Sequence, residues 1–113
     1  RHKAMIIEDS GLNGLRSELR YLDEVTAKLG FVRWQWENYR ATYDLEHDDD
    51  YMLRINARVT EGKMESPIAV LEIRDVYVGK RTYPDGIDDD AEFPADVMRT
   101  LTEKLRKLKE ALT

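Results

Sequence analysis

The segment from Gly30 to Asp44 holds both tryptophans of the chain, Trp34 and Trp36, and two of its six tyrosines, Tyr39 and Tyr43. Aromatic side chains bury about 150–250 Å² each and dominate whatever core they enter. Residues in this segment alternate in polarity, the period of a strand whose two faces meet different surroundings. Such a strand needs an apolar layer on one side, and the preceding residues supply it. Leu12, Leu15, Leu19, Leu22, Val25 and Leu29 recur at helical spacing and form one stripe. The chain is thereby constrained to a helix packed on an aromatic sheet.

That helix is expected from about residue 12 to residue 29, with Ser10 or Asn13 at its start and Gly30 as a left-handed stop. Met5 to Glu8 reads as a short first strand. In the aromatic segment, Val32, Trp34 and Trp36 alternate with Arg33 and Gln35. Tyr39, Ala41, Tyr43 and Leu45 then continue in the opposite phase. Either a β-bulge near Glu37 and Asn38 absorbs the extra residue, or a tight turn separates two strands. The missing glycine favours the bulge.

Tyr51, Leu53, Ile55, Ala57 and Val59 alternate with Met52, Arg54, Asn56, Arg58 and Thr60, the pattern of a half-buried strand. Ala69, Leu71 and Ile73 alternate with Val70, Glu72 and Arg74, and the phase slips at Asp75 before Val76 to Val78. Tyr83-Pro84-Asp85-Gly86 is a β-turn signature. Phe93-Pro94 opens a second helix striped by Val97, Met98, Leu101, Leu105, Leu108 and Leu112. Short connections favour antiparallel neighbours. The expected fold is α+β in the order β-α-β-β-β-(β)-α: one domain over residues 1–113, a twisted antiparallel sheet with both helices on one face. At 113 residues it can bury roughly two-thirds of its unfolded surface, so no metal or disulfide is needed to hold it.

Composition narrows the function classes. The chain has no cysteine and hence no thiol chemistry. No apolar run approaches the roughly 20 residues of a membrane span, and Met5-Ile6-Ile7 is too short for a signal-peptide core. A cytoplasmic protein without membrane partners is expected. The net charge is −5. Nine carboxylates lie in two segments, Glu46 with Asp48, Asp49 and Asp50, and Asp85 with Asp88, Asp89, Asp90 and Glu92. The remainder is mildly basic, without the clustered lysine and arginine of a nucleic-acid binder. Neither acidic segment has the alternating spacing of a calcium loop, and adjacent aspartates point in different directions. No metal or other cofactor is expected.

His2, His47, Ser10, Ser17 and Ser66 form no nucleophile–base spacing, so no catalytic residues and no enzyme are expected. Gly11 to Gly14 read as turn and cap rather than as a phosphate loop, with Glu8 and Asp9 just before them. Two candidate surfaces remain. Arg40, Arg54, Arg58 and Arg74 fall on the polar face of three successive strands. There Asp44 with Arg54, or Arg58 with Glu72, make cross-strand pairs, while Met52 and Val70 add apolar area. This face is either solvated or an interface for an anion or a partner. Trp34, Trp36, Tyr39 and Tyr43 are expected in the core under the helices, with a polar end available to a cleft. The functional expectation is association as a homodimer. A small-ligand binder, with its cleft between the aromatic strand and the helices, is the alternative.

The run Gly14-Leu15-Arg16-Ser17-Glu18-Leu19 to Leu22-Asp23-Glu24, then Leu29-Gly30-Phe31-Val32-Arg33-Trp34, resembles the YugN-like family. So do Tyr39 to Tyr43, the Tyr83 to Gly86 turn, and Phe93-Pro94. These are small proteins of spore-forming Gram-positive bacteria, and the resemblance covers nearly the whole chain. It implies a single α+β domain similar to the TATA-binding-protein-like class, a curved antiparallel sheet with helices on one face. It brings no activity and no catalytic residues. That class includes nucleic-acid binders and small-ligand binders alike, so the architecture does not choose a function.

Overall fold

The computed structural model describes residues 5–6, 10–36, 39–48, 51–82, 86–88 and 94–113. The side chains at 5–6, 34–36, 80–82 and 86–88 lie outside the description. The elements run β1 (Met5–Ile6), β2 (Arg16–Glu18), α1 (Leu19–Lys28), β3 (Val32–Trp36), β4 (Arg40–His47), β5 (Tyr51–Glu61), β6 (Val70–Thr82), β7 (Gly86–Asp88) and α2 (Ala95–Leu112). All strand pairs are antiparallel, and the main path across the sheet is β1-β6-β5-β4-β3. Strand β6 pairs with β5 along one edge. Its other edge takes β2 at Val70–Glu72, β1 at Tyr77–Val78 and β7 at Lys80–Thr82.

The alternation in β4, β5 and β6 places one set of residues inward. Ala41, Tyr43, Leu45, Leu53, Ile55, Ala57, Leu71, Ile73, Val76 and Val78 are buried in one cluster. Leu19, Leu22 and Val25 of α1 and Val97, Leu101, Leu105 and Leu108 of α2 complete it. Both helices therefore cover the same sheet face, as the stripes require. The phase slip in β6 is a register shift: Ile73 opposes Ala57 and Asp75 opposes Asn56, so Arg74 is the extra residue. A bulge there keeps Leu71 and Ile73 on the same side as Val76 and Val78.

Three expectations are corrected. First, α1 begins at Leu19, not near residue 12, and its N-cap is Glu18. The preceding backbone is committed to the sheet: Gly14 donates to the Ile73 carbonyl, Ile73 to that of Leu15, and Leu19 to that of Ala69. Gly14 sits at φ +92°, outside helical space. Leu12 is nevertheless fully buried in the same core, which is why the stripe looked continuous. Ser10 Oγ accepts from the Leu12 N–H rather than capping a helix. The helix end is as expected. Gly30 at φ +100° donates to Ala27 and Phe31 donates to Thr26, the paired bonds of a Schellman stop.

Second, the aromatic segment is a hairpin of β3 and β4, not one bulged strand. Trp36 opposes Ala41, and the intervening connection includes Glu37 and Asn38, which lie outside the described residues. The connection between the strand ends, residues 37–39, is longer than two residues, so the glycine rule of a two-residue turn does not apply to it. A bulge exists, but within β3, between Arg33 and Gln35. Third, Val32 turns outward. Phe31 fills the core position after Gly30, leaving Val32 59% exposed opposite Asp44. The Tyr83 to Gly86 turn and Phe93 fall largely outside the described residues, as do Asp49, Asp50, Asp89, Asp90 and Glu92 of the acidic segments.

Candidate functional site

The face of the sheet opposite the helices is organised in rows by the strand register. Asp44 of β4, Arg54 of β5 and Tyr77 of β6 lie side by side, followed by Thr42, Asn56 and Asp75, then by Arg40, Arg58, Glu72 and Arg16. Most of these polar groups are bonded within the face. Arg54 donates from Nε to Asp44 Oδ1 at 2.8 Å and from Nη2 to Oδ2 at 3.0 Å, a fork-to-fork pair. This bond holds the Arg54 guanidinium above its ordinary range, against the opposing pull of burial. The Thr42 hydroxyl donates to Asn56 Oδ1 at 3.0 Å, and Asn56 Nδ2 donates to the Tyr77 hydroxyl oxygen at 3.0 Å. Asp44 is only 5% exposed.

The four arginines of the polar strands thus share one face but not one environment. Arg54 is tied to Asp44. Arg40 and Arg58 oppose each other directly across β4 and β5, and each guanidinium carbon lies 5.8 Å from the centroid of the Tyr39 ring. Arg74 projects from the bulge with Nη1 3.7 Å from Glu72 Oε1. The expected Asp44–Arg54 pair forms. Arg58 opposes Glu72 in register as expected, while the ion contacts of Glu72 are with Arg16 and Arg74.

The aromatic residues divide in a way alternation did not reveal. Tyr43 is buried as expected. Tyr39 is not a core residue: it precedes β4 at the hairpin, is 48% exposed, and its carbonyl accepts from the Val59 N–H. Met52, expected outward, is buried. Trp34 and Trp36 lie on β3, their side chains outside the description. Between the aromatic strands and α1, the Tyr43 hydroxyl donates to Asp23 Oδ1 at 2.7 Å, and Arg33 Nη2 lies 3.6 Å from Asp23 Oδ2. Of the polar groups at that place, the Tyr43 hydroxyl and the Asp23 carboxylate are bonded to one another. Asp23, which bonds Tyr43 and faces Arg33, has no place in the alternation patterns of the sequence. Its signal was a carboxylate directly beside the buried Leu22, on the flank of the apolar stripe.

Burial, then the hydrogen bond and negative charge of Asp23, push Tyr43 well above the ordinary tyrosine range, with Arg33 pulling the other way. The hydroxyl is therefore a donor, not a nucleophile. A folded-state pKa above the unfolded one near 10 means that this tyrosine's contribution is fully present below about pH 10 and is lost as the pH rises beyond it. We predict that stability falls above about pH 10 in the wild type, and that Tyr43→Phe, about 1 kcal/mol less stable at neutral pH, loses that part of the alkaline slope. Urea titrations from pH 7 to 11 measure both. An unchanged slope in the variant contradicts the assignment.

Among the described residues, no three His, Asp or Glu side chains converge as a metal site, and no helix is long and apolar enough to cross a membrane.

Comparison with known proteins agrees with this architecture. The family model of the YugN-like family matches residues 8–110. The uncharacterized protein YlbA of Bacillus subtilis (strain 168) is 34% identical over 96 residues, covering 80% of this chain and 80% of that protein. The crystal structure of the uncharacterized conserved protein YugN from Geobacillus kaustophilus HTA426 superposes with a TM-score of 0.84 at 32% identity, covering 96% of this chain and 95% of that one. Matching sequence, matching fold and matching length lead to one assignment: the chain belongs to the YugN-like family.

Proposed function

We propose that the protein acts without catalysis, by association with a second copy of itself through the sheet face opposite the helices. One observation carries this reading: the most enclosed polar groups of that face are already bonded to each other. Burying polar groups is costly when it strands them, at about 1–3 kcal/mol for each unsatisfied donor or acceptor. Here Asp44 with Arg54, and Thr42 with Asn56 and Tyr77, can be covered with those bonds intact. Beside them the face offers exposed Val32 and Tyr39. It also carries both signs of charge, so a two-fold related copy presents a complementary surface. Strand β3 has no second partner strand among the described residues, which gives the contact an adjoining backbone edge.

A stable dimer buries at least about 1,000 Å² in total. Light scattering across a concentration series is expected to show the mass rising from 13.3 kDa to twice that value. Val32→Lys should shift the association to higher concentration while leaving the melting temperature nearly unchanged, because a lysine there faces Asp44 across the strands. A mass fixed at the monomer up to hundreds of micromolar rejects the proposal.

A further inference from the structure

We infer that the cleft between α1 and the last turns of α2 is a receptor for a small organic carboxylate carrying a short aliphatic tail. The cleft has a volume of about 290 Å³ and is lined by Tyr21, Val25, Lys28 and Leu29 on one side and by Lys107 and Ala111 on the other. Three rows at four-residue spacing build it, since residues so spaced are neighbours on a helix surface. Tyr21, Val25 and the C-cap Leu29 form an apolar row. Glu24 and Lys28 form the charged row beside it, with Lys28 Nζ 3.3 Å from Glu24 Oε2. Lys107 and Ala111 face them from α2.

The cleft is preformed. The Tyr21 hydroxyl donates to the Ala111 carbonyl at 2.7 Å, a bond that joins residues 90 positions apart and ties the two helices together. It also holds the Tyr21 ring, 43% exposed, as a standing apolar wall. Val25 reaches from the cleft into the common core. An aliphatic chain entering here covers apolar surface that water otherwise wets, and no helix has to be ordered for it.

The charges choose the head group. Glu24 is matched by Lys28, whereas Lys107 forms no ion pair among the described residues. Glu103 and Glu110 of the same helix are both held by Arg106. The carbonyls at the helix ends are occupied as well: those of Thr26 and Ala27 accept from the Schellman stop, and that of Ala111 accepts from Tyr21. With one carboxylate against two ammonium groups, the rim has one positive charge in excess. It stands at the edge of apolar surface, where a carboxylate is attracted more strongly than in open water and a cation is repelled. The volume sets the size. Ligand sites hold drug-sized molecules at roughly 300–1,000 Å³, and this cleft lies at the lower bound.

NMR titration of the isotopically labelled full chain with sodium octanoate, far below its micelle concentration and at about 50 mM salt, tests the site. Saturable binding is expected, with shift changes centred on Tyr21, Val25, Leu29 and Ala111. Lys107→Gln should weaken it about fivefold at an unchanged melting temperature, the ratio to which an ion pair of about 1 kcal/mol corresponds. Lys107→Arg, which keeps the charge, should bind nearly as well as the wild type. Ala111→Phe should abolish binding by filling the cleft, and Lys107→Gln carries the test alone if that variant does not fold. No saturable binding at millimolar octanoate, shift changes centred elsewhere, or equal affinity in Lys107→Gln overturns the site. Octylammonium or 1-octanol binding as tightly as octanoate overturns the choice of a carboxylate. Sedimentation with phosphatidylglycerol vesicles without binding of octanoate overturns the choice of a free ligand. The cleft lies on the helix side of the sheet and the surface proposed for association on the other, so the mass of the protein in the same samples decides that reading separately.

Discussion

Leu53→Ala should lower the unfolding free energy by about 2–5 kcal/mol, one of the largest losses expected for a single substitution in this chain. Leu53 lies in the middle of β5, is 0% exposed, and pairs in register with Leu45 on one side and Val78 on the other. Removing its isobutyl group loses the transfer free energy of the missing atoms. It also leaves a cavity that two flanking strands, held by their ladders, cannot close. A domain of this size is stable by only about 5–15 kcal/mol, so the variant should show a much reduced denaturation midpoint. The control is Ile68→Ala, at a side chain 62% exposed, where the change should stay within about 0.5 kcal/mol. Chemical denaturation with an unchanged m-value measures both. Equal effects at the two positions would contradict the assigned core.

The second large effect is electrostatic. Arg54→Met is expected to cost about 2–4 kcal/mol, below the 3–5 of a fully enclosed pair because the Arg54 side chain keeps 25% of its exposure. The cost comes less from the lost attraction than from the carboxylate that remains. Asp44 is deprived of two charge-assisted hydrogen bonds in a place where water has little access. Asp44→Asn alone should cost less, since an amide tolerates the site better than a charge does. The double variant Arg54→Met with Asp44→Asn should then be more stable than Arg54→Met alone. A thermodynamic cycle of the four proteins reads the coupling directly. Additive single effects would show that the pair is held in place without contributing.

Where the sequence was legible, one local pattern settled the outcome. Pro94, Asp96 and the leucine stripe mark α2 because a proline at its start, an acidic first turn and one buried face agree over eighteen residues. The Asp44–Arg54 pair could be read from two strands of opposite alternation in antiparallel order. The errors arose where tertiary context was decisive. Leu12 and Leu15 sit at helical spacing from Leu19 yet belong to a turn and to a strand-bound segment, since a core rewards burial whatever the backbone conformation. Counting in twos puts Tyr39 in the core only because the count runs across what is a hairpin connection. The Tyr43–Asp23 bond joins residues 20 positions apart and a helix to a strand, so no single-element pattern contains it. Met64, fully buried in the loop between β5 and β6, gave no periodic signal either. The row of Arg40, Arg58, Glu72 and Arg16 needed the register of four strands, and the place of Arg74 needed the bulge in β6, which no alternation along one strand supplies.

Strand β6 has one edge taken by β5, its neighbour in the chain, and the other shared by three short strands, two of which come from the first eighteen residues. This has a bearing on the order of assembly. During synthesis, Met5–Ile6 and Arg16–Glu18 emerge long before the strand that will bind them and must wait, unpaired, until residues 70–78 are available. Closing so long a loop is entropically costly, which slows folding and leaves the amino-terminal segment exposed in the nascent chain. The hairpins of β3, β4 and β5 involve only near neighbours and are free to form first. Strands β1 and β2 then join β6 after these hairpins, and together with β7 they cover its edge against pairing with another molecule.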